Sequence, residues 1–186
     1  MKTLFLFYSL FLITITNAQT NLVKNGGFEM ELINWRGEEN AKLTPYDKKS
    51  GTNSAVITQF VGAEWKALDQ IITLPKNTFA LEISGWIKSD AIETQKEDYK
   101  CGAIIAEFTN SADKQIIAER IGQATGSTNW TFFKKTIKTP ADAKKIRIML
   151  ALAQTNGTVF FDDIKAIALS EAEYLKANPI STNPEN

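Results

Sequence analysis

The sequence contains no histidine and a single cysteine, Cys101. Without imidazole there is no Ser-His-Asp or Cys-His nucleophile system, no histidine-bound zinc and no imidazole proton shuttle. A lone cysteine cannot close an internal disulfide. It is either a buried thiol or a link to another chain, and its apolar character favours burial. Excess charge is missing too: 21 basic residues face 21 acidic ones, so nothing steers the chain toward nucleic acid or an anionic membrane. Beyond the first few residues no run approaches the roughly 18 apolar residues that would cross a bilayer.

What is present begins with an export leader. Met1-Lys2 supplies a positive start, residues 4–15 are almost wholly apolar, and Thr16-Asn17-Ala18 offers small residues ahead of a cut before Gln19. The apolar stretch is short for a membrane anchor, and no cysteine follows it to carry a lipid. The expected product is a secreted or periplasmic protein without membrane insertion. Residues 19–169 then form one domain, followed by a short C-terminal segment over 170–186.

The domain is a succession of short strands separated by turn signals. Strands are expected over 56–60, 67–74, 79–88, 101–110, 115–120, 130–138, 145–153 and 159–169. The intervening clusters, such as Leu74-Pro75-Lys76-Asn77 and Thr155-Asn156-Gly157, suit tight turns through fixed or positive φ. Alternation supports this reading. Leu81, Ile83 and Ile87 share one face while Glu82, Ser84, Trp86 and Lys88 share the other. Ile146, Ile148, Leu150 and Leu152 alternate in the same way with Lys145, Arg147, Met149 and Ala151. One apolar face per strand predicts an all-β sandwich, a jelly roll of two antiparallel sheets. Residues 89–100 are charged and lack alternation, which predicts a solvated loop. Ser170-Glu171-Ala172-Glu173 has capping-box spacing for a short helix. Residues 178–186, with two prolines, predict a disordered tail.

Three segments carry a resemblance. The opening is Asn21-Leu22-Val23-Lys24-Asn25-Gly26-Gly27-Phe28-Glu29 with Trp35 after it. The middle is Trp65 ahead of Asp69-Gln70-Ile71-Ile72, then Gly85-Trp86-Ile87-Lys88. The close is Trp130-Thr131-Phe132-Phe133 and Gly157-Thr158-Val159-Phe160-Phe161-Asp162-Asp163-Ile164. In this order and spacing the chain resembles the carbohydrate-binding modules of families 4, 9 and 22, which are galactose-binding-like jelly rolls. The resemblance implies a groove on one sheet for a glycan chain, and a structural calcium ion.

Calcium takes six to eight hard oxygen ligands. Strand alternation lets only one of Asp162 and Asp163 point where Glu29 does. On the residues alone, these carboxylates suit a surface pair or a strand-end cap equally well. The resemblance implies calcium at Glu29 and Asp162, with Ser54 in the adjoining turn. For the sugar, C–H faces stack on exposed aromatic rings while amides and carboxylates meet the hydroxyls. Trp65, in the polar stretch Gly62-Ala63-Glu64-Trp65-Lys66, either lines a groove or folds back onto its sheet. The resemblance implies stacking. Trp86, Tyr99, Glu82 and Arg147 complete the expected ligand set, with Lys88 and Glu107 as further neighbours. Either Tyr99 or Phe108 serves as second stacking aromatic, while Trp35 and Trp130 are expected to pack.

Three functions remain open. The first is a non-catalytic module binding polysaccharide or oligosaccharide of β-glucan or xylan type. The second is a structural or adhesion sandwich without a sugar site. The third is a small glycosidase, which needs two carboxyl groups about 5–9.5 Å apart across a cleft.

Overall fold

The computed structural model describes residues 19–179. The leader expected over 1–18 and most of the expected tail lie outside them. Nine strands are followed by one helix. They are β1 Lys42–Thr44, β2 Ser54–Gln59, β3 Trp65–Thr73, β4 Ala80–Ile92, β5 Gly102–Thr109, β6 Gln115–Ala124, β7 Gly126–Lys138, β8 Lys145–Ala153 and β9 Gly157–Leu169, then α1 Glu171–Ala177. The eight expected strands are all present. β1 is an addition, paired in antiparallel fashion with Ser54 to Val56. The expected loop after residue 88 is shorter than its composition suggests, because β4 runs on to Ile92 through two register shifts against β7.

The strands form two antiparallel sheets, ordered β1-β2-β9-β4-β7 and β3-β8-β5-β6. Between them lies an apolar core in which Ile57, Leu68, Leu81, Ile83, Ile87, Ile104, Phe108, Ile148, Leu150 and Phe161 are fully buried. Each comes from the inward parity of its strand, so burial of one face per strand is the main source of stability, at about 25 cal/mol per Å² of apolar surface. The fold is therefore the jelly-roll sandwich expected from alternation. Among the described residues no helix is long and apolar enough to cross a membrane.

Close approach at two places fixes how the layers meet. Gly26 lies against β9, its carbonyl accepting from Ile164 N at 2.9 Å. A Cβ at Gly26 would stand 2.1 Å from the Ile164 carbonyl oxygen, so only glycine fits. In β4, a Cβ at Gly85 would meet Ile164 Cδ1 at 2.5 Å and Ile104 Cδ1 at 2.9 Å. The helix carries the expected capping box. Ser170 Oγ accepts from Glu173 N while the Glu173 carboxylate accepts from Ser170 N and Oγ, and those bonds hold it at a pKa of about 2.

Gly85→Val is expected to destabilise the domain by about 1–3 kcal/mol through overpacking between the sheets. Urea denaturation measures it, and an unchanged midpoint would contradict the close approach.

Candidate sugar-binding face

The outward parity of the four-stranded sheet gathers much of what the sequence singled out. Register pairs Trp65 with Ala153, Ala67 with Ala151, Asp69 with Met149 and Ile71 with Arg147 across β3 and β8. It continues from Ala151 to Ala103, from Met149 to Ile105 and from Arg147 to Glu107 on β5. Beyond these, β6 sets Gln123, Arg120 and Ala118 opposite Ala103, Ile105 and Glu107.

The burial of this outer face is uneven. Ala103, Ala151 and Ala153 are at most 1% exposed although they point away from the core, whereas Trp65 at the β3 edge is 47% exposed. The alanines are covered by the chain around them, and the indole of Trp65 stands exposed beside them. On the opposite side, Arg120 Nη1 donates to the Asp98 carbonyl at 3.2 Å, drawing the preceding loop to the same rim. That loop carries Tyr99, 47% exposed. Cys101 below it is buried, its Sγ donating to the Tyr99 carbonyl at 3.6 Å, and burial pushes its thiol pKa up.

The loops at the Trp65 end are stitched together by side chains. Buried Gln59, with its carboxamide oxygen turned to the β2–β3 connection, accepts from Ala63 N and Glu64 N. Asn156 Oδ1 accepts from Ala63 N at 3.1 Å, and Thr155 Oγ1 donates to the Glu93 carbonyl at 3.1 Å. Trp65 therefore stands on a strand start whose approach is fixed, so little loop entropy is lost when a ligand meets it.

Near the other end of the face lies a buried carboxylate. Asp69 accepts four contacts at 2.6–3.1 Å from Nε and Nη2 of Arg36. Arg36 also pairs with it through the backbone in an isolated antiparallel bridge. Arg147 Nε lies 3.2 Å from the same carboxylate but out of hydrogen-bond alignment, and that N–H is shielded without a partner. Arg36, Ile71, Glu107, Thr109, Asp113 and Arg147 line a pocket of about 160 Å³ beside this cluster. Arg36 was not foreseen. The signal for it was Asp69-Gln70 inside a strand, since a charge on a buried strand face demands a partner.

The expected ligand set is thus divided. Trp65, Tyr99 and Arg147 belong to this face together with Glu107. Glu82 and Trp86 lie on the outer face of the other sheet, across the core, and cannot share one groove with Trp65. Phe108 is fully buried in the core and so is no stacking residue. Trp35 packs as expected, 5% exposed, with Nε1 donating to the Asn25 carbonyl and its ring 5.5 Å from Phe28. Trp130 is not a core residue. It is half-buried on the outer face of β7, edge-on to Phe160.

The residues expected to hold calcium meet at one loop. Thr52 Oγ1, Thr52 N and Asn53 N donate to the Glu29 carboxylate at 2.5–3.1 Å and lower its pKa, the hydroxyl most. Asp162 Oδ2 accepts from Lys49 N at 2.8 Å and Ser50 N at 3.0 Å. Its burial raises its pKa against those bonds. Ser54 Oγ donates to the Asp47 carbonyl at 2.6 Å. Two carboxylates, a hydroxyl and a carbonyl are the hard donors that calcium takes, so the chemistry of the set fits. Among the described residues no three His, Cys, Asp or Glu side chains gather. The remaining ligands would be hydroxyl and carbonyl oxygens, and the carboxylates would share their oxygens with loop N–H groups.

Asp69→Asn removes half of a charge pair whose arginine partner is partly solvated, with 58% of the Arg36 side chain exposed. The expected loss is about 1–2 kcal/mol, read by urea denaturation. A neutral result would mean the clamp does not organise this face.

None of the curated proteins matches the chain. Solved structures are similar in fold. One is the CBM22-1 xylan-binding domain of Paenibacillus barcinonensis Xyn10C, 11% identical, with a TM-score of 0.58 over 83% of this chain and 98% of that one. Another is TmCBM61, solved with β-1,4-galactotriose, 17% identical, with a TM-score of 0.54 over 81% of this chain and all (100%) of that one. A third is the enzymatically active domain of bacteriophage CBA120 tailspike protein 4, 15% identical, with a TM-score of 0.61 over 80% of this chain. Our chain covers only 21% of that tailspike domain. The family model described as carbohydrate binding domain, of families 4 and 9, matches residues 20–157, a span that includes Glu29, Ser54, Trp65 and Arg147 but ends before Asp162. The chain therefore belongs to the family 4 and 9 carbohydrate-binding modules.

Proposed function

We propose that this protein is an exported, non-catalytic module that binds a β-glycan chain of β-glucan or xylan type along the outer face of the four-stranded sheet. The observation that carries the reading is Trp65, 47% exposed at the β3 edge of that face. A glycan chain with one pyranose ring against the indole would run along the face toward Arg147, so that Gln123, Arg120, Glu107 and Arg147 meet the hydroxyls of successive rings. The xylan-binding domain and the galactotriose-bound module described above support a neutral polysaccharide as ligand. A glycosidase reading has less support, because Asp69, the buried carboxylate of this face, is tied to Arg36 and Arg147. A calcium ion held by Glu29 and Asp162, with Ser54 beside them, would be structural. It would fasten the loop between β1 and β2 to the ends of the fold without touching sugar.

Native electrophoresis through gels containing soluble arabinoxylan, β-1,4-galactan or mixed-linkage β-glucan tests the binding. Retardation is expected in at least one gel, weakened about tenfold or more by Trp65→Ala with the circular dichroism unchanged. Full retardation of that variant would remove the groove. For the ion, calcium at about 100 times its dissociation constant adds about 2.7 kcal/mol to stability. The expected rise in Tm is about 5–10 °C, abolished in Glu29→Gln. No rise in the unaltered protein would strike calcium from the account.

A further inference from the structure

The outer face of a sandwich sheet is ordinarily polar, yet that of the five-stranded sheet carries four aromatic rings. Trp86 of β4 lies 5.2 Å from Phe132 of β7, and Trp130 of β7 lies 6.4 Å from Phe160 of β9. Phe132 is 48% exposed. None of these rings is needed to fill the core, which the opposite parity of the same strands already supplies.

Polar groups surround the rings. Asp47, Lys88, Asp90, Thr128, Asn129 and Phe160 line a pocket of about 350 Å³, within the range of about 300–1,000 Å³ usual for small-molecule sites. Phe160 forms its aromatic wall, with Lys88 Nζ 5.6 Å above the ring and ion-paired to Asp47. Ser127 Oγ donates to Asp90 Oδ1 at 3.1 Å, which holds that carboxylate at the mouth. Next to the pocket, Lys49 Nζ sits 4.0 Å over Trp86, and its backbone N–H is held by Asp162. Asp47 and Asp90 balance Lys88 and Lys49, so the surface selects neither an anion nor a cation. What it offers is one ring face beside carboxylate, amide, hydroxyl and ammonium groups, which is the chemistry of a neutral polyol with an apolar face.

From this juxtaposition we propose that the outer face of the five-stranded sheet is a second glycan-binding surface, seating a neutral sugar of a polysaccharide against Phe160 with Asp90, Asn129 and Lys88 reading its hydroxyls. The inference rests on the glycan-binding reading of the chain. The two faces lie back to back across the core, about 10 Å of sheet spacing apart. One straight stretch of polymer cannot lie on both at once, so the module holds two chains or two separate stretches of one.

The same polymer gels test the proposal, with Phe160→Ala, Asn129→Ala, Trp65→Ala and the double variant Trp65→Ala/Phe160→Ala. Trp65→Ala is expected to keep a weaker retardation, which Phe160→Ala or exposed Asn129→Ala lowers by a further tenfold or more. The double variant should migrate independently of polymer. Asn129→Ala decides the matter should Phe160→Ala lose its fold. If Trp65→Ala alone abolishes retardation and the other single variants match the unaltered protein, the second surface is overturned and the groove stands. If Trp65→Ala changes nothing and Phe160→Ala abolishes binding, the groove falls and the second surface stands. Unretarded migration of the unaltered protein in every gel overturns both.

Discussion

Each strand of this protein has two faces, and the core can claim only one of them. That constraint governs the rest of the molecule. Leucine, isoleucine and phenylalanine on the inward parity supply the burial that offsets the entropy of ordering the chain. Two outward faces remain, one per sheet, and all ligand chemistry must be written there or on the loops at the rims. Gly26 and Gly85 keep the arrangement tight, since a Cβ at Gly26 would run into the backbone of β9 and one at Gly85 into the Ile164 and Ile104 side chains between the sheets.

The two outward faces are built differently. That of the four-stranded sheet is covered over Ala103, Ala151 and Ala153 and presents exposed rings at Trp65 and at Tyr99 on the loop before β5. Its charges are internally paired through Asp69, which fixes the guanidinium of Arg36 and draws in that of Arg147. A strand start whose connecting loops are held by side-chain hydrogen bonds presents Trp65 to a ligand at low ordering cost. The face of the five-stranded sheet carries aromatic rings capped by lysines and a polar pocket beside Phe160. Loop order links it to the rest, because the carboxylate of Asp162 that holds Lys49 in place comes from β9 and reaches out to the β1–β2 connection.

How much of this the sequence contained follows from the same constraint. Parity was legible: Leu81, Ile83 and Ile87 face inward and Glu82, Trp86 and Lys88 outward, as alternation required. Allocation of a strand to one sheet or the other was not, because period 2 is blind to which layer a strand joins. Trp65 and Trp86 therefore looked like partners although they stand on opposite sides of the core. β1 escaped notice because three residues show no period, and its pairing with β2 is a matter of tertiary contact. Arg36 was missed for a related reason: it meets Asp69 through a single isolated bridge, which leaves no pattern along the chain. The capping box at Ser170 was readable because it is wholly local, needing only Ser170 and Glu173 three residues apart.

The central claim is that sugar lies against Trp65. The indole N–H signals of the four tryptophans report on it directly when xylohexaose, cellohexaose or β-1,4-galactotriose is added to isotope-labelled protein. The account predicts a saturable shift of the Trp65 signal while that of Trp35, packed against Phe28, stays still. A Trp65 signal that does not move under an oligosaccharide shown to bind would contradict it.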